Sequence, residues 1–505
     1  MDIASFLTFK EPLIPIISLA FFAITAPLTE VMKKPKFEEI SGIWSILGFI
    51  ISLYFVFRGY SYVASSSKGY IELFAQLAPI GVTFYIDGLS LFFSLTFILL
   101  GIFAAIYSLS YMKRYKGMGY YFSLLLLMVL GMVGVTFTGD FFNLFVFWEL
   151  MSIVSYVLVA YTKETTALEA SFKYLVMASF GSLCMLLGMA FIYALTGSLN
   201  FVYVSNQLAK ISSSELITPL YLALILILIG FGVKAAIFPF WTWLPDAHPA
   251  APTPISAMLS GVVITTGIYG IIRIFFLFFS VISIEWGILI AILSAITMTV
   301  GNVLALLQAD IKRILAYSSI AHMGYILAGI SASALTSSPI GITGAILHVF
   351  NHALLKGLAF LCAGALIYRA GTRVLDELEG VGRRMPITTI TLSIAAFGLI
   401  GIPSLNGFIS KLVIFMSTVF ANIVWLGIIL IINSALSSWY YLRIIKILVR
   451  SGEKARSNIK EAPLSMLAPM LIMTILIVLF GIWPQPLLAV LERASSSFLN
   501  QLPLW

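Results

Sequence analysis

The feature that most constrains this chain is its succession of long apolar runs separated only by short polar connectors. Fourteen runs are legible, at about 12–30, 40–58, 88–111, 119–138, 141–161, 167–196, 217–240, 254–280, 284–306, 313–331, 340–368, 387–410, 421–449 and 465–490. A bilayer span takes about 20 apolar residues, and lipid offers the backbone no outside hydrogen-bond partner, so runs of this length are read as helices. Only 10% of the 505 residues are charged and 61% are hydrophobic. Soluble domains carry about 25% charged residues, so a soluble enzyme, a nucleic-acid binder and a disulfide scaffold are all excluded. The sequence predicts an all-α polytopic membrane protein of about fourteen transmembrane helices. Its first run, with no basic segment or small-residue cleavage site before it, reads as a retained span.

The net charge of +8 follows from topology rather than from an acidic partner. Of the 29 Lys and Arg residues, nineteen fall in connectors on one side and six on the other, counting Arg273 among the six and Lys312 among the nineteen. The excess of positive charge on the cytoplasmic side of membrane proteins then places both termini outside. The two cysteines, Cys184 and Cys362, are too few for an iron–sulfur cluster, which normally takes four. No cofactor or metal is expected in this chain.

Four lysines remain inside the predicted spans: Lys173, Lys234, Lys356 and Lys411. Each charged side chain at a helix centre costs about 2.5–3.5 kcal/mol, so such residues face the bundle interior and mark ion paths. Lys173 lies near enough to a span end to snorkel. Lys234 does not. Glu149, inside Phe145-Val146-Phe147-Trp148-Glu149-Leu150-Met151, is the economical partner for Lys234, because an opposite charge favours the ionised form of each. His348, His352 and Lys356 are spaced at i, i+4 and i+8. They share one helix face, a titratable column about 12 Å long at 1.5 Å per residue. Paired histidines at this spacing can also bind zinc, but Lys356 on the same stripe repels a cation, so a wire of neutral imidazoles is favoured. Pro239 and Pro245 interrupt the seventh run, and Gly401-Ile402-Pro403-Ser404-Leu405-Asn406-Gly407 the twelfth. Interrupted helices in corresponding halves point to an inverted repeat with an ion site near mid-membrane.

At these residues the chain resembles the proton-translocating antiporter-like subunits. The stretches that carry the resemblance are Asp140 to Ser152, Lys234 to His248, Phe350-Asn351-His352-Ala353-Leu354-Leu355-Lys356 and Asp376 to Pro386, within a similarity from Asp87 to about residue 450. Such subunits occur in respiratory complex I, in membrane-bound hydrogenases and related reductases, and, as the D subunit, in Mrp-type sodium/proton antiporters. The resemblance implies helices 1–3 over 1–111, a first five-helix repeat over 112–281, an inverted second repeat over 282–450 and a last helix over 451–505, with helices seven and twelve broken. It implies proton translocation by Glu149, Lys234, His348, His352, Lys356 and Lys411, with Lys173, Thr265 and His322 as candidate relay positions. Many family members carry Lys or His in helix eight where this chain has Thr265, and a hydroxyl cannot hold a proton at neutral pH. The implied function is an ion-translocating subunit, moving protons with or without a link to sodium, of a redox-driven respiratory complex in the cell membrane such as a membrane-bound hydrogenase or complex I relative. Its partners would be homologous antiporter-like and small Mrp-like membrane subunits, lipid, and peripheral redox subunits that carry iron–sulfur or metal cofactors. The alternatives are a D-type subunit of an Mrp antiporter and a structural spacer that has lost transport.

Overall fold

The computed structural model describes residues 11–31, 35–66, 69–73, 81–208, 214–277, 285–450 and 459–501. Lys10, Lys33, Lys34, Lys68, Lys210, Lys454 and Arg456, which enter the charge count, lie outside these residues. The chain is a bundle of helices: α1 (Ile14–Thr25), α2 (Pro35–Ser65), α3 (Gly88–Tyr111), α4 (Met118–Phe137), α5 (Phe141–Val159), α6 (Thr165–Thr196) and α7 (Ser214–Lys234). After α7 come the short α8 (Leu244–Ala250) and α9 (Thr253–Met258), the latter continuing through a π turn, Leu259–Val263, into α10 (Ile264–Leu277). The second half comprises α11 (Glu285–Leu306), α12 (Ile311–Thr336), α13 (Pro339–Ala370), α14 (Pro386–Ile400), α15 (Asn406–Phe420), α16 (Val424–Val449), α17 (Leu464–Ile482) and α18 (Gln485–Gln501).

Among the described residues twelve helical segments are long and apolar enough to cross a membrane, and three shorter apolar helices accompany them: Thr218–Lys234, Pro386–Ile400 and Asn406–Phe420. The three short ones flank the breaks read from the sequence. A 15-residue helix is about 22 Å long at 1.5 Å per residue, short of a hydrocarbon core of about 30 Å. Hence α14 and α15 each cover only part of the thickness. The break between them is tighter than the glycine-rich run implied, and the second half-helix runs on to Phe420 instead of ending near 410. Gly401 turns the chain at φ +93, a left-handed conformation that glycine adopts without strain. A short antiparallel hairpin, β1 (Tyr70–Leu73) with β2 (Phe84–Asp87), and the separate α18 were not anticipated.

The core runs down the middle of the bundle. The apolar windows of α9–α10 and α12 are wholly buried and that of α13 nearly so, whereas α6 and α16 expose much of theirs. Within this bundle α13 packs against α12, α14, α15, α17 and α18, which explains how polar groups on it can be sealed from lipid on every side.

One polar tie in the core was misassigned by the charge count. Arg273 belongs to α10, not to an outer connector. It is buried, with both terminal nitrogens donating to the two Asp87 carboxylate oxygens at 2.8 Å. Asp87 also caps α3 by accepting from the Ser90 backbone N–H at 2.8 Å. Removing one member of a buried pair leaves the other uncompensated, which costs about 3–5 kcal/mol. Arg273→Ala is therefore expected to lower the melting temperature of the detergent-solubilised protein clearly; an unchanged melting curve would contradict this.

Candidate functional site

The first cluster forms where α7 ends. Lys234 is its last residue and is almost wholly buried. Its Nζ donates to Ser152 Oγ at 2.7 Å and to Tyr174 Oη at 3.2 Å. The rings of Trp148, Tyr156 and Tyr174 stand 5.7, 5.7 and 5.1 Å from the ammonium, close enough for cation–π attraction. Past the helix end Ala236 takes a positive φ of 52, and Trp243 Nε1 donates to the Val233 carbonyl at 2.8 Å. The indole stacks on Tyr174 with centroids 3.9 Å apart, which fixes the phenol that meets Lys234.

Glu149 does not form an ion pair with Lys234 in this structure; the ammonium is taken by Ser152 and Tyr174 instead. Ser152 lies three residues after Glu149 on α5, so the two share a helix face. Glu149 Oε1 is buried without a hydrogen-bond partner. The residue borders a groove of about 910 Å³ that Lys116, Tyr120, Tyr161 and Lys163 also line.

The second cluster centres on α13. His348, His352 and Lys356 are all buried, as a single inward stripe requires. His322 of α12 joins them: its Nδ1 and His348 Nε2 are 2.9 Å apart, with the rings stacked at 5.1 Å. His348 Nδ1 meets Ser410 Oγ at 2.8 Å, and His352 Nε2 donates to the Ser260 carbonyl at 3.0 Å. His322 Nε2 and His352 Nδ1 have no hydrogen-bond partner, and their rings are 5.2 Å apart. Lys356 Nζ donates to the Leu315 carbonyl at 3.0 Å and to Tyr441 Oη at 3.2 Å.

Lys411 closes this series at the broken helix. The last carbonyls of any helix lack intrahelical donors, and cations are favoured at that end. Lys411 Nζ meets the Leu399 and Ile400 carbonyls of α14 at 2.7 and 3.1 Å, and Ser434 Oγ at 3.0 Å. The break and the lysine thus stabilise each other.

Thr265 lies on α10, which packs against both α7 and α12; it is buried, with its hydroxyl turned back to the Val262 carbonyl at 2.8 Å. Among the described residues no side-chain hydrogen bond joins the Lys234 group to the histidines. The neighbouring π turn holds Ser260, whose carbonyl accepts from His352; π turns recur at functional sites. Lys173 stands apart, half-exposed, paired with Glu169 at 2.8 Å and Asp246 at 3.4 Å. Lys312, counted with the connectors, is buried and donates to the His248 and Ala251 carbonyls at 3.3 and 2.9 Å. Among the described residues no three His, Cys, Asp or Glu side chains converge on a metal position.

The sequence missed Ser152, Tyr174, Ser410, Ser434 and Tyr441 as partners of the titratable groups. Only Ser152 carried a signal, its three-residue offset from Glu149.

Residues 138–438 match the family model described as the transmembrane region of NADH:quinone oxidoreductase and Mrp antiporters. Residues 74–122 match the N-terminal region of chain 5 of NADH-ubiquinone oxidoreductase, complex I. The chain belongs to this family. Subunit N of the F420H2 dehydrogenase of Methanosarcina mazei is 29% identical over 493 residues, covering 96% of this chain and 98% of that one. A chain of the membrane-bound sulfane sulfur reductase, an archaeal respiratory membrane complex, is 29% identical with a TM-score of 0.87, covering 97% of this chain and 98% of that one. A chain of the Mrp complex from Dietzia sp. DQ12-45-1b has a TM-score of 0.85 at 23% identity, covering 98% and 99%, and speaks for the fold alone. The expectation of an antiporter-like membrane subunit is borne out at the level of the family, and so is a mostly helical membrane architecture.

Proposed function

We propose that this chain is the proton-translocating subunit of a multisubunit membrane complex driven by redox chemistry in other chains. The observation that carries the reading is the series Lys234, Lys356 and Lys411: three buried ammonium groups whose hydrogen-bond partners are hydroxyl and carbonyl oxygens, with aromatic rings and no carboxylate in an ion pair beside them among the described residues. Structural buried charges are normally paired. A cation without a fixed counter-charge is free to exchange its proton, and ionisable groups at this depth mark relays.

In this mechanism Lys234 moves between two settings. In one it is held by Ser152 and Tyr174, and in the other it swings to Glu149, one helical turn earlier on α5. Forming and breaking that pair alters the proton affinity of both groups. A proton released from Lys234 passes the Thr265 region to His352, then through His322 and His348 to Ser410 and Lys411. Lys356 holds the other end of the α13 stripe. The two arms on either side of Thr265 correspond to the inverted repeats expected over 112–281 and 282–450. Both termini lie on the outer side of the cell membrane by the charge asymmetry. The partners are homologous and smaller membrane subunits together with peripheral subunits that carry the redox cofactors, a reading supported by the redox complexes named for two of the relatives.

The test is to tag the chain at a terminus, solubilise it mildly and identify what co-purifies by mass spectrometry. Cysteine-rich iron–sulfur subunits are the expected partners. Small hydrophobic subunits without any redox protein would overturn the redox assignment in favour of an Mrp-type antiporter.

A further inference from the structure

The hydrogens of the buried histidine row are constrained by what each ring nitrogen meets. A neutral imidazole donates from one nitrogen and accepts at the other. His352 has one tautomer open to it: Nε2 faces the Ser260 carbonyl, which can only accept, so Nε2 carries the hydrogen and Nδ1 is bare. His322 and His348 have two settings. Their contact joins His322 Nδ1 to His348 Nε2 at 2.9 Å, and either nitrogen can be the donor. The choice between them is made at the far end of the row. Ser410 Oγ lies 2.8 Å from His348 Nδ1 and 3.2 Å from the Gly407 carbonyl, and a serine hydroxyl has a single hydrogen for the two.

With that hydrogen on the Gly407 carbonyl, Ser410 Oγ accepts from His348 Nδ1. His348 Nε2 is then bare and accepts from His322 Nδ1, which leaves His322 Nε2 bare as well. With the hydrogen on His348 Nδ1, both bonds reverse and His322 Nε2 carries a hydrogen. His322 Nε2 and His352 Nδ1 are buried without a hydrogen-bond partner among the described residues, on rings 5.2 Å apart. The first setting thus presents two bare nitrogens at this gap, and His322 can take a proton there. In the second setting His322 can only give one up. The competing carbonyl has a fixed place, because any side chain on Gly407 would collide with the Gly398 carbonyl where α15 begins against α14.

We propose that Ser410 is a positioning residue that sets the polarity of the His322–His348 relay, with the Gly407 carbonyl as the alternative acceptor for its hydrogen. The inference rests on the proton-translocating reading above. In the first setting a proton bound at His322 Nε2 releases the hydrogen of His322 Nδ1 to His348 Nε2. His348 Nδ1 then gives its hydrogen to Ser410 Oγ, and the serine releases its own on the Gly407 side. One proton has entered, one has left, and the row stands in the second setting, from which the next transfer runs the opposite way. The direction open to a proton is therefore decided by where one hydroxyl points.

The test uses the intact complex in sealed vesicles, with protons translocated per electron as the first readout and assembly checked by co-purification. Ser410→Ala is expected to lower that ratio by at least about tenfold while electron transfer continues. The second readout is the infrared difference spectrum of variant and unaltered complexes carrying isotope-labelled histidine. The histidine tautomer bands should shift in Ser410→Ala, which loss of packing alone would not produce. Ser410→Thr keeps the hydroxyl and is expected to match the unaltered chain in both readouts. A normal ratio in Ser410→Ala would overturn the inference and leave the functional reading standing. Unchanged tautomer bands in an assembled Ser410→Ala complex would overturn it whatever the flux, and so would a band shift in Ser410→Thr equal to that in Ser410→Ala. An unchanged ratio in His348→Ala would instead sink the functional reading together with this inference.

Discussion

Replacing Lys411 is expected to separate charge from proton exchange. Lys411→Met removes the only side-chain donor that meets the Leu399 and Ile400 carbonyls among the described residues. Leaving the buried Leu399 carbonyl unmet costs about 1–3 kcal/mol, and the part-buried Ile400 carbonyl adds less, so this variant should lose both translocation and thermal stability. Lys411→Arg keeps the cation and its donors, but a guanidinium does not deprotonate in proteins. It should therefore recover most of the stability lost in Lys411→Met while translocation stays suppressed, by about tenfold or more. Melting curves and proton flux on the same preparations check this. An Arg variant that pumps normally would mean that Lys411 supplies only a fixed charge.

The second large effect is expected at His348. Its two ring nitrogens meet His322 and Ser410, so it is the only histidine of the group that links α12 to α15 through both nitrogens. His348→Ala interrupts the column at that link, and proton transfer by a positioned group typically contributes about 10²–10⁴-fold. Translocation should fall by at least about tenfold by the same reasoning, with the complex still assembled, since the replaced ring lies inside a single subunit. Retained flux would show that protons reach Lys411 by another path.

Much of this fold is legible in the sequence because lipid leaves the backbone few choices. Each long apolar run had to be a helix, and the Pro239 and Gly401–Gly407 breakers marked where two of them stop. The α13 stripe followed from helical spacing alone. Other features needed the third dimension. Arg273 and Lys312 sit near run ends and count as connector charges, although Asp87 draws one into the core and the His248 and Ala251 carbonyls draw in the other. His322 is 26 residues from His348 on another helix, and no spacing rule brings such residues together. Glu149 and Lys234 were paired by sign. Sequence could not show that Ser152 and Tyr174 hold the ammonium instead, since hydroxyls leave no mark in a charge count. The split of the last run into α17 and α18 follows from Pro484, after which polar residues replace the uniform apolar run.

The central claim is that redox energy moves protons through this chain by way of Glu149 and Lys234. The most direct measurement is the number of protons translocated per electron by the intact complex in sealed vesicles, compared between the unaltered chain and its Lys234→Ala and Glu149→Ala variants. The account predicts a lower ratio in both variants, with complex assembly preserved. An unchanged ratio in both would contradict it and leave the chain as a structural spacer.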